Sequence, residues 1–187
     1  GIVYMQVTRG VAARDHKFPA GTRPSLLMTT QRKPPMPPEK VEAGVPVVSI
    51  PDIRWKRCDI KSTSLLPNIL GKQQAAERHA FEAWMVDGDG NVTEGTSTNA
   101  WIVTKDRRLV TRDLSTAILS GITRKRLLAV AASEGYPLDE RSFSVAEAQK
   151  AAEAFITSST SLVLPVASID GKPVGQGRAG PLSLALR

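Results

Sequence analysis

The chain contains two stretches that together suggest a chemical site. The first is Arg57-Cys58-Asp59-Ile60-Lys61-Ser62, which offers one lysine close to a segment predicted to be a strand. The second is Val92-Thr93-Glu94-Gly95-Thr96-Ser97-Thr98-Asn99, in which one carboxylate precedes a run of hydroxyl side chains. A lysine amine can attack a carbonyl carbon, and a positioned carboxylate can hold a proton or a cation. The two stretches therefore predict a site where an amine and an acid act on one bound molecule.

A third stretch, Leu119-Ser120-Gly121-Ile122-Thr123-Arg124, precedes a predicted helix over Ile122–Glu134. The free N–H groups at a helix start favour anions such as phosphate. We therefore predict that the amides of Ile122 and Thr123, with the Thr123 hydroxyl, bind a phosphate group. The alternative is that Thr123 simply caps the helix, and the two uses can coexist.

In this order and at these spacings, the three motifs closely resemble the class IV (fold-type IV) pyridoxal phosphate aminotransferases. That family includes D-amino acid and branched-chain aminotransferases and aminodeoxychorismate lyases, and the resemblance covers nearly the whole chain. It implies pyridoxal 5'-phosphate as cofactor, with Lys61 holding its aldehyde as a Schiff base and Glu94 keeping its ring nitrogen protonated. Once freed by the substrate, the Lys61 amine would move a proton between substrate and cofactor carbons.

The resemblance also implies the rest of the cofactor pocket. Leu119 would press on one face of the ring, while Ser97 and Thr98 would line the pocket near Glu94. The hydroxyl-rich run Thr157–Ser161 would bring Ser158 and Ser159 to the phosphate or its water shell.

A further segment, Arg14-Asp15-His16-Lys17-Phe18-Pro19, resembles the D-amino acid aminotransferases within the family. The resemblance implies that Arg14 and His16 bind the substrate carboxylate and come from the neighbouring subunit of a homodimer. The expected activity is transamination of D-amino acids with 2-oxo acids, of the D-alanine and 2-oxoglutarate type. A branched-chain aminotransferase or an aminodeoxychorismate lyase, using the same Lys61 and Glu94, remains an alternative.

The order of predicted elements indicates an α+β fold, because strands and helices mix without regular alternation. The family's barrel-like, mixed-sheet large domain fits this pattern. We expect strands and the carboxylate-binding loop over residues 1–32, a proline-rich connector over 33–44, and the cofactor-binding large domain over 45–187. Family members carry a smaller domain before this point, and both ends of the chain look cut.

Local patterns predict the individual elements. The predicted helices are Leu65–His79, capped by Ser62 or Ser64, then Ile122–Glu134 and Val145–Ala152. Asp87–Asn91 predicts a hairpin turn, and it lacks the glutamate that closes a calcium loop. The predicted strands are Ile2–Arg9, Leu26–Thr30, Val45–Ile50, Arg57–Ile60, Phe81–Val86, one around Val92, Ala100–Thr104, Leu109–Thr111, Phe155–Thr157 and Val163–Ile169.

The composition narrows the class of protein. A hydrophobic content of 41% is ordinary for a globular protein, and the single Cys58 excludes an internal disulfide and fits a reducing, cytoplasmic compartment. No apolar run approaches the roughly 20 residues that span a bilayer, so we expect no membrane association. The net charge of +7 leaves a small nucleic-acid-binding domain as an alternative from another class. The basic residues are scattered, however, and no zinc-ligand pattern accompanies them, so we expect neither nucleic acid nor a metal ion as partner.

Overall fold

Strands dominate the structure, a computed structural model that describes all 187 residues. The chain divides into two units, Gly1–Pro35 and Met36–Arg187. The elements, in chain order, are β1 (Ile2–Thr8), β2 (Ser25–Gln31), α1 (Pro38–Ala43), β3 (Val45–Pro51), α2 (Leu66–Glu77), β4 (Glu82–Val86), β5 (Val92–Gly95), β6 (Asn99–Val103), β7 (Leu109–Thr111), α3 (Ile122–Ser133), β8 (Leu138–Glu140), α4 (Val145–Lys150), β9 (Glu153–Ser158), β10 (Leu162–Ile169), β11 (Lys172–Pro173) and α5 (Pro181–Ala185).

The first unit is built on one antiparallel strand pair. Strands β1 and β2 pair along their whole length, with Ile2 opposite Gln31, and this confirms both strands predicted for the segment. Gly10, whose φ is +109°, lies near the start of the long connection between them. A Cβ atom there would lie 2.2 Å from the backbone oxygen of Arg23, so only glycine fits this close approach.

The second unit contains one mixed sheet in the order β5-β4-β3-β10-β9-β6-β7-β8, with β11 paired to β10. Strands β5 and β6 stand first and sixth in this order, and only Thr96, Ser97 and Thr98 connect them. Five strand spacings in a flat sheet would separate them by about 24 Å. A connection of four Cα–Cα steps reaches at most about 14 Å. The sheet must therefore curl, which fits the predicted barrel-like α+β architecture.

Both faces of this sheet are buried. On one face Trp84, Ile102 and Leu164 belong to a core cluster that also includes residues of α1 and α4. On the other face Trp101 stacks on Phe155 at 5.5 Å, in a cluster that includes Leu127 of α3 and Leu182 of α5. Because neighbours in a strand face opposite sides, the central strands are almost continuously apolar.

Most predicted elements are confirmed within a few residues, including the three helices and the hairpin that joins antiparallel β4 and β5. None of the helices has the length and apolar character needed to cross a bilayer.

Two local predictions are wrong. Arg57–Ile60 forms a turn instead of a strand, held by the bond from the Ile60 amide to the Arg57 carbonyl at 3.1 Å. Helix α2 begins after Leu65 with no side-chain cap, so neither Ser62 nor Ser64 caps it. Helix α1 lies within the range 33–44 predicted as a connector, since Pro38 is tolerated in a first helical turn, where no N–H is needed.

Candidate active site

Glu94, near the end of β5, is a buried carboxylate with 5% of its surface exposed. It accepts hydrogen bonds from Arg54 Nη1 at 2.5 Å, from Asn99 Nδ2 at 3.0 Å, and from the Leu119 amide at 3.1 and 3.2 Å. A carboxylate has about four acceptor positions. The Leu119 N–H is shared between both oxygens, so three donors make four hydrogen bonds. A further donor, such as a protonated nitrogen of a bound molecule, could replace one half of this shared bond.

Arg54 is itself held by several groups. Its guanidinium forms a two-pronged ion pair with Asp52, at 2.9 Å from Nε and 2.7 Å from Nη2. Nη2 also donates to Thr93 Oγ1 at 3.2 Å and to the Ala117 carbonyl at 3.0 Å. This geometry fixes the guanidinium plane beside Glu94, as a forked donor can when it meets a carboxylate.

Burial and these ion pairs shift three pKa values. Burial raises the pKa of Glu94 to about 7, although the charge of Arg54 opposes the rise. Burial also penalises the charge on Arg54, but the hydrogen bond to Asp52 and the charge of Glu94 outweigh it, so the pKa of Arg54 lies above its usual value. Burial raises the pKa of Asp52 less than the hydrogen bonds from Arg54 and Thr93 lower it, and the net direction is down.

Asn99 connects Glu94 to the start of helix α3. Its Nδ2 atom also donates to the Leu119 carbonyl at 3.0 Å. A Cβ atom on Gly121 would lie 2.2 Å from Asn99 Oδ1, so this side chain packs directly on the backbone that begins the helix. Gly121 is the N-cap and no side chain caps the helix, so the alternative in which Thr123 is the cap is wrong.

The first turn of α3 therefore offers backbone N–H groups that no side chain satisfies. Ile122 is exposed and Thr123 is half-buried. These groups lie close to Glu94, because Gly121 contacts Asn99 and Asn99 binds Glu94. An anionic group and a cationic nitrogen of one ligand could thus be bound from neighbouring elements.

The end of β9 lies beside the same asparagine. Asn99 pairs with Thr157 across strands β6 and β9, so Ser158 and Ser159 follow at this edge. Ser158 Oγ accepts a hydrogen bond from the Ser161 amide at 3.0 Å and lies 3.3 Å from Thr160 Oγ1. Ser159 is exposed.

Ser97 and Thr98 bind another buried carboxylate. Their hydroxyls donate to Glu82 Oε2 at 3.2 and 3.3 Å, so both are directed toward the start of β4. Ser97 retains exposed surface, whereas Thr98 is buried.

Lys61 lies in the segment between β3 and α2, and its side chain is exposed. This segment runs beside the segment that contains Leu119, whose amide donates to Glu94. The Cys58 amide donates to the Thr116 carbonyl at 2.8 Å, and the Arg54 guanidinium donates to the Ala117 carbonyl. Lys61 follows Cys58 by only a few residues. The structure records no contact between Lys61 and Glu94.

In the first unit, Arg14 and His16 are both exposed in the connection between β1 and β2. The His16 amide donates to Asp15 Oδ1 at 2.6 Å, and Arg9 lies over the Phe18 ring at 3.7 Å. These contacts shape the loop and leave the Arg14 guanidinium exposed.

A cavity of about 570 Å³ occurs in the second unit and is lined by Glu42, Arg107, Glu153, Arg178 and residues of α5. It contains none of the residues predicted for the site. The site around Glu94 is instead identified by its hydrogen-bonding pattern.

The family model of Amino-transferase class IV matches residues 1–169. The chain belongs to the class IV aminotransferase family. It is 45% identical over 184 residues to the D-alanine aminotransferase of Bacillus licheniformis, an alignment that covers 98% of this chain and 64% of that protein. The chain thus spans less than two thirds of that relative's length.

Solved structures of family members share the fold. A branched-chain aminotransferase from Thermoproteus uzoniensis with norvaline is 27% identical, with a TM-score of 0.80 over 98% of this chain and 62% of that one. A branched-chain amino acid aminotransferase from T.th., complexed with N-(5'-phosphopyridoxyl)-L-glutamate, is 28% identical, with a TM-score of 0.71 over 78% of this chain and 50% of that one. The family resemblance and the fold class predicted from the sequence are both confirmed.

Sequence reasoning missed Asp52, Arg54 and Glu82, and it gave Asn99 no role. Glu82 had a visible signal, because a carboxylate that opens the otherwise apolar strand Glu82–Val86 needs buried donors. Asp52 and Arg54 had none, since charged residues after a strand are usually solvated.

Proposed function

We propose that the chain is the cofactor-binding part of a D-amino acid transaminase that uses pyridoxal 5'-phosphate. The observation that carries the proposal is the buried Glu94, a carboxylate that three donors hold near the uncapped start of α3. The relative named D-alanine aminotransferase supports the substrate class.

The residues around Glu94 fit this cofactor. Glu94 would accept the hydrogen bond of a ring nitrogen, and the amides of Ile122 and Thr123 would bind the phosphate with the Thr123, Ser158 and Ser159 hydroxyls. Leu119 would pack on the ring, and Ser97 and Thr98 would line the pocket. When bound, pyridoxal phosphate supplies an electron sink for the pair released at the substrate Cα.

The remaining chemistry belongs to the residues of the chain. Lys61 is the proposed covalent attachment point, and its free Nζ would act as the base that takes the Cα proton of the amino acid and as the acid that gives this proton back. Arg54, paired with Asp52, keeps a positive charge against Glu94 and so favours the ionised carboxylate that a protonated ring nitrogen needs.

Substrate recognition is assigned to Arg14 and His16, which would bind the carboxylate of a D-amino acid or 2-oxo acid. We propose that they act across a homodimer and that the protein is cytoplasmic. The exposure of both residues and the charge of Arg14 support the role in carboxylate binding. The family membership favours this activity over the nucleic-acid-binding alternative.

A branched-chain activity is the second candidate, because solved branched-chain aminotransferases share the fold. The higher identity to a protein named D-alanine aminotransferase favours the D-specific activity. The two candidates share Lys61 and Glu94 and differ in how the substrate is bound.

Amino-group transfer measured on the whole protein that contains this chain tests the proposal. With pyridoxal phosphate and 2-oxoglutarate, D-alanine should react and L-leucine should not. Arg14→Ala should lower kcat/KM for D-alanine roughly ten- to a hundredfold, as loss of a charge-assisted contact does. Lys17→Ala, an exposed cation of the same loop, is the matched control and should have little effect. Preference for L-leucine, or release of an aminobenzoate from aminodeoxychorismate, would contradict the D-specific function.

A further inference from the structure

Glu82 is a carboxylate with 0% exposure at the first position of β4. Its Oε1 atom accepts from the Ala83 amide at 3.0 Å and from the Thr96 hydroxyl. Its Oε2 atom accepts from Ser97 Oγ at 3.2 Å and Thr98 Oγ1 at 3.3 Å. One buried carboxylate thus binds every hydroxyl of the connection between β5 and β6.

All three hydroxyls donate to the two oxygens of this carboxyl group. Lys72 Nζ, 3.5 Å from Oε1, supplies a partly exposed counter-charge. Packing around the carboxylate is close: a Cβ atom on Gly95 would lie 2.2 Å from Thr98 Oγ1 and 3.1 Å from Glu82 Cγ. The connection therefore has little freedom to shift while these hydrogen bonds are formed.

The two ends of this connection carry the Glu94 site. Glu94 stands one residue before Gly95, and Asn99 follows Thr98 directly. Asn99 binds Glu94 at 3.0 Å and packs on Gly121 at the start of α3. A change in the backbone path of residues 96–98 would therefore alter the distance from Glu94 to Asn99 and to the start of α3.

We propose that Glu82 is a positioning residue of the active site. It fixes the connection between β5 and β6, and thereby keeps Glu94 within hydrogen-bond distance of Asn99 and close to the first turn of α3. The expected effect of Glu82 on amino-group transfer rests on the proposed function. Its expected effect on the structure of residues 95–99 does not.

Glu153 provides a matched control. It is also a buried carboxylate at the first position of a strand, and it accepts hydrogen bonds from the amides of Leu182 at 2.9 Å and Ser183 at 2.8 Å. It shares no hydrogen-bond partner with Glu82 or Glu94. Replacement of Glu153 should thus lower stability without altering the site.

The test compares Glu82→Gln with Glu153→Gln in the whole protein. Glutamine keeps the side-chain size, and hydroxyls can accept from its amide as well as donate to its oxygen. In cofactor-free protein, Glu82→Gln should speed amide hydrogen exchange over residues 95–99, while Glu153→Gln should leave that segment at the wild-type rate. Should Glu82→Gln fail to fold, Thr98→Val provides the same comparison.

The second measurement is steady-state kinetics with D-alanine. Misplacement of a catalytic group can lower the rate by up to roughly a hundredfold, so kcat should fall in Glu82→Gln while KM stays near wild type. Glu153→Gln should keep its kcat even where it melts at a lower temperature. If the two variants behave alike in both measurements, Glu82 is only a structural residue. If the wild type transfers no amino group, the proposed function fails, and the exchange comparison still decides the role of Glu82.

Discussion

At the scale of single residues, the site is defined by a buried acid that three donors hold. Burial disfavours the charged form of Glu94, whereas the charge of Arg54 favours it. Burial has the larger effect, and the pKa of Glu94 is raised to about 7. A raised pKa means that the folded state prefers the neutral acid. This preference gives the cofactor-free protein a measurable dependence on pH.

The first prediction concerns this pH dependence. The contribution of Glu94 to folding is fully present below its ordinary pKa of 4.5 and is lost as pH rises through about 7. A glutamine side chain does not titrate, so the stability of Glu94→Gln relative to wild type should increase by about 3 kcal/mol between these pH values. Urea unfolding of cofactor-free protein from pH 4.5 to 8 measures the difference. A difference that does not change with pH would contradict the raised pKa.

The second prediction concerns Arg54. Replacement by alanine leaves the partly buried Asp52 and the buried Glu94 without their cation, a change that typically costs about 3–5 kcal/mol. The exposed pair Arg57–Asp59 in the same segment is the control, and Arg57→Ala should cost far less, because water screens an exposed ion pair. Chemical denaturation at pH 7 compares the two variants. An equal loss of unfolding free energy in both variants would show that the Arg54 ion pairs stabilise the protein no more than an exposed pair does.

At the scale of elements, the site is formed where the start of α3, the end of β5 and the start of β6 meet. Asn99 and Gly121 pack against each other where these elements meet. No residue with a special backbone conformation is involved there, since Gly121 has a φ of −64°. The glycine is needed for space rather than for its backbone freedom.

The third prediction therefore concerns Gly121→Ala. The added methyl group should displace Asn99 from Glu94, lower stability by about 1–3 kcal/mol and weaken pyridoxal phosphate binding. Gly88→Ala, in the β4–β5 turn with no atom within 4 Å of the new Cβ, is the control. Thermal unfolding and a cofactor titration measure both effects. Wild-type behaviour of Gly121→Ala in both would contradict the contact.

The limits of the sequence are clearest at this scale. The alternation in Ile2–Thr8 and the turn residues Asp87–Asn91 predicted their elements, because local patterns determine them. Arg57–Ile60 looked like a strand from its composition alone, yet it forms a turn. The hydrogen bonds from Arg54 to Glu94 and from Asn99 to Leu119 join segments that are distant in sequence, and a local sequence pattern cannot predict such contacts.

At the scale of the whole molecule, the curled sheet explains how the site is assembled. The motifs around Lys61, Glu94 and Gly121 are far apart in sequence. The three-residue connection between the first and sixth strands brings Glu94 to Asn99, and the Arg54 segment runs beside Leu119. The family's motifs were readable from the sequence, whereas the supporting residues became visible only with the fold.

The central claim is that Lys61 and Glu94 serve one bound pyridoxal phosphate, and the most direct test is covalent trapping. The whole protein is incubated with the cofactor, reduced with borohydride and digested, and the labelled peptide is identified by mass spectrometry. The label should sit on Lys61 and disappear in Lys61→Ala, while Lys56→Ala, an exposed lysine of the same segment, should keep it. A label on another lysine, or none on the wild type, would contradict the account.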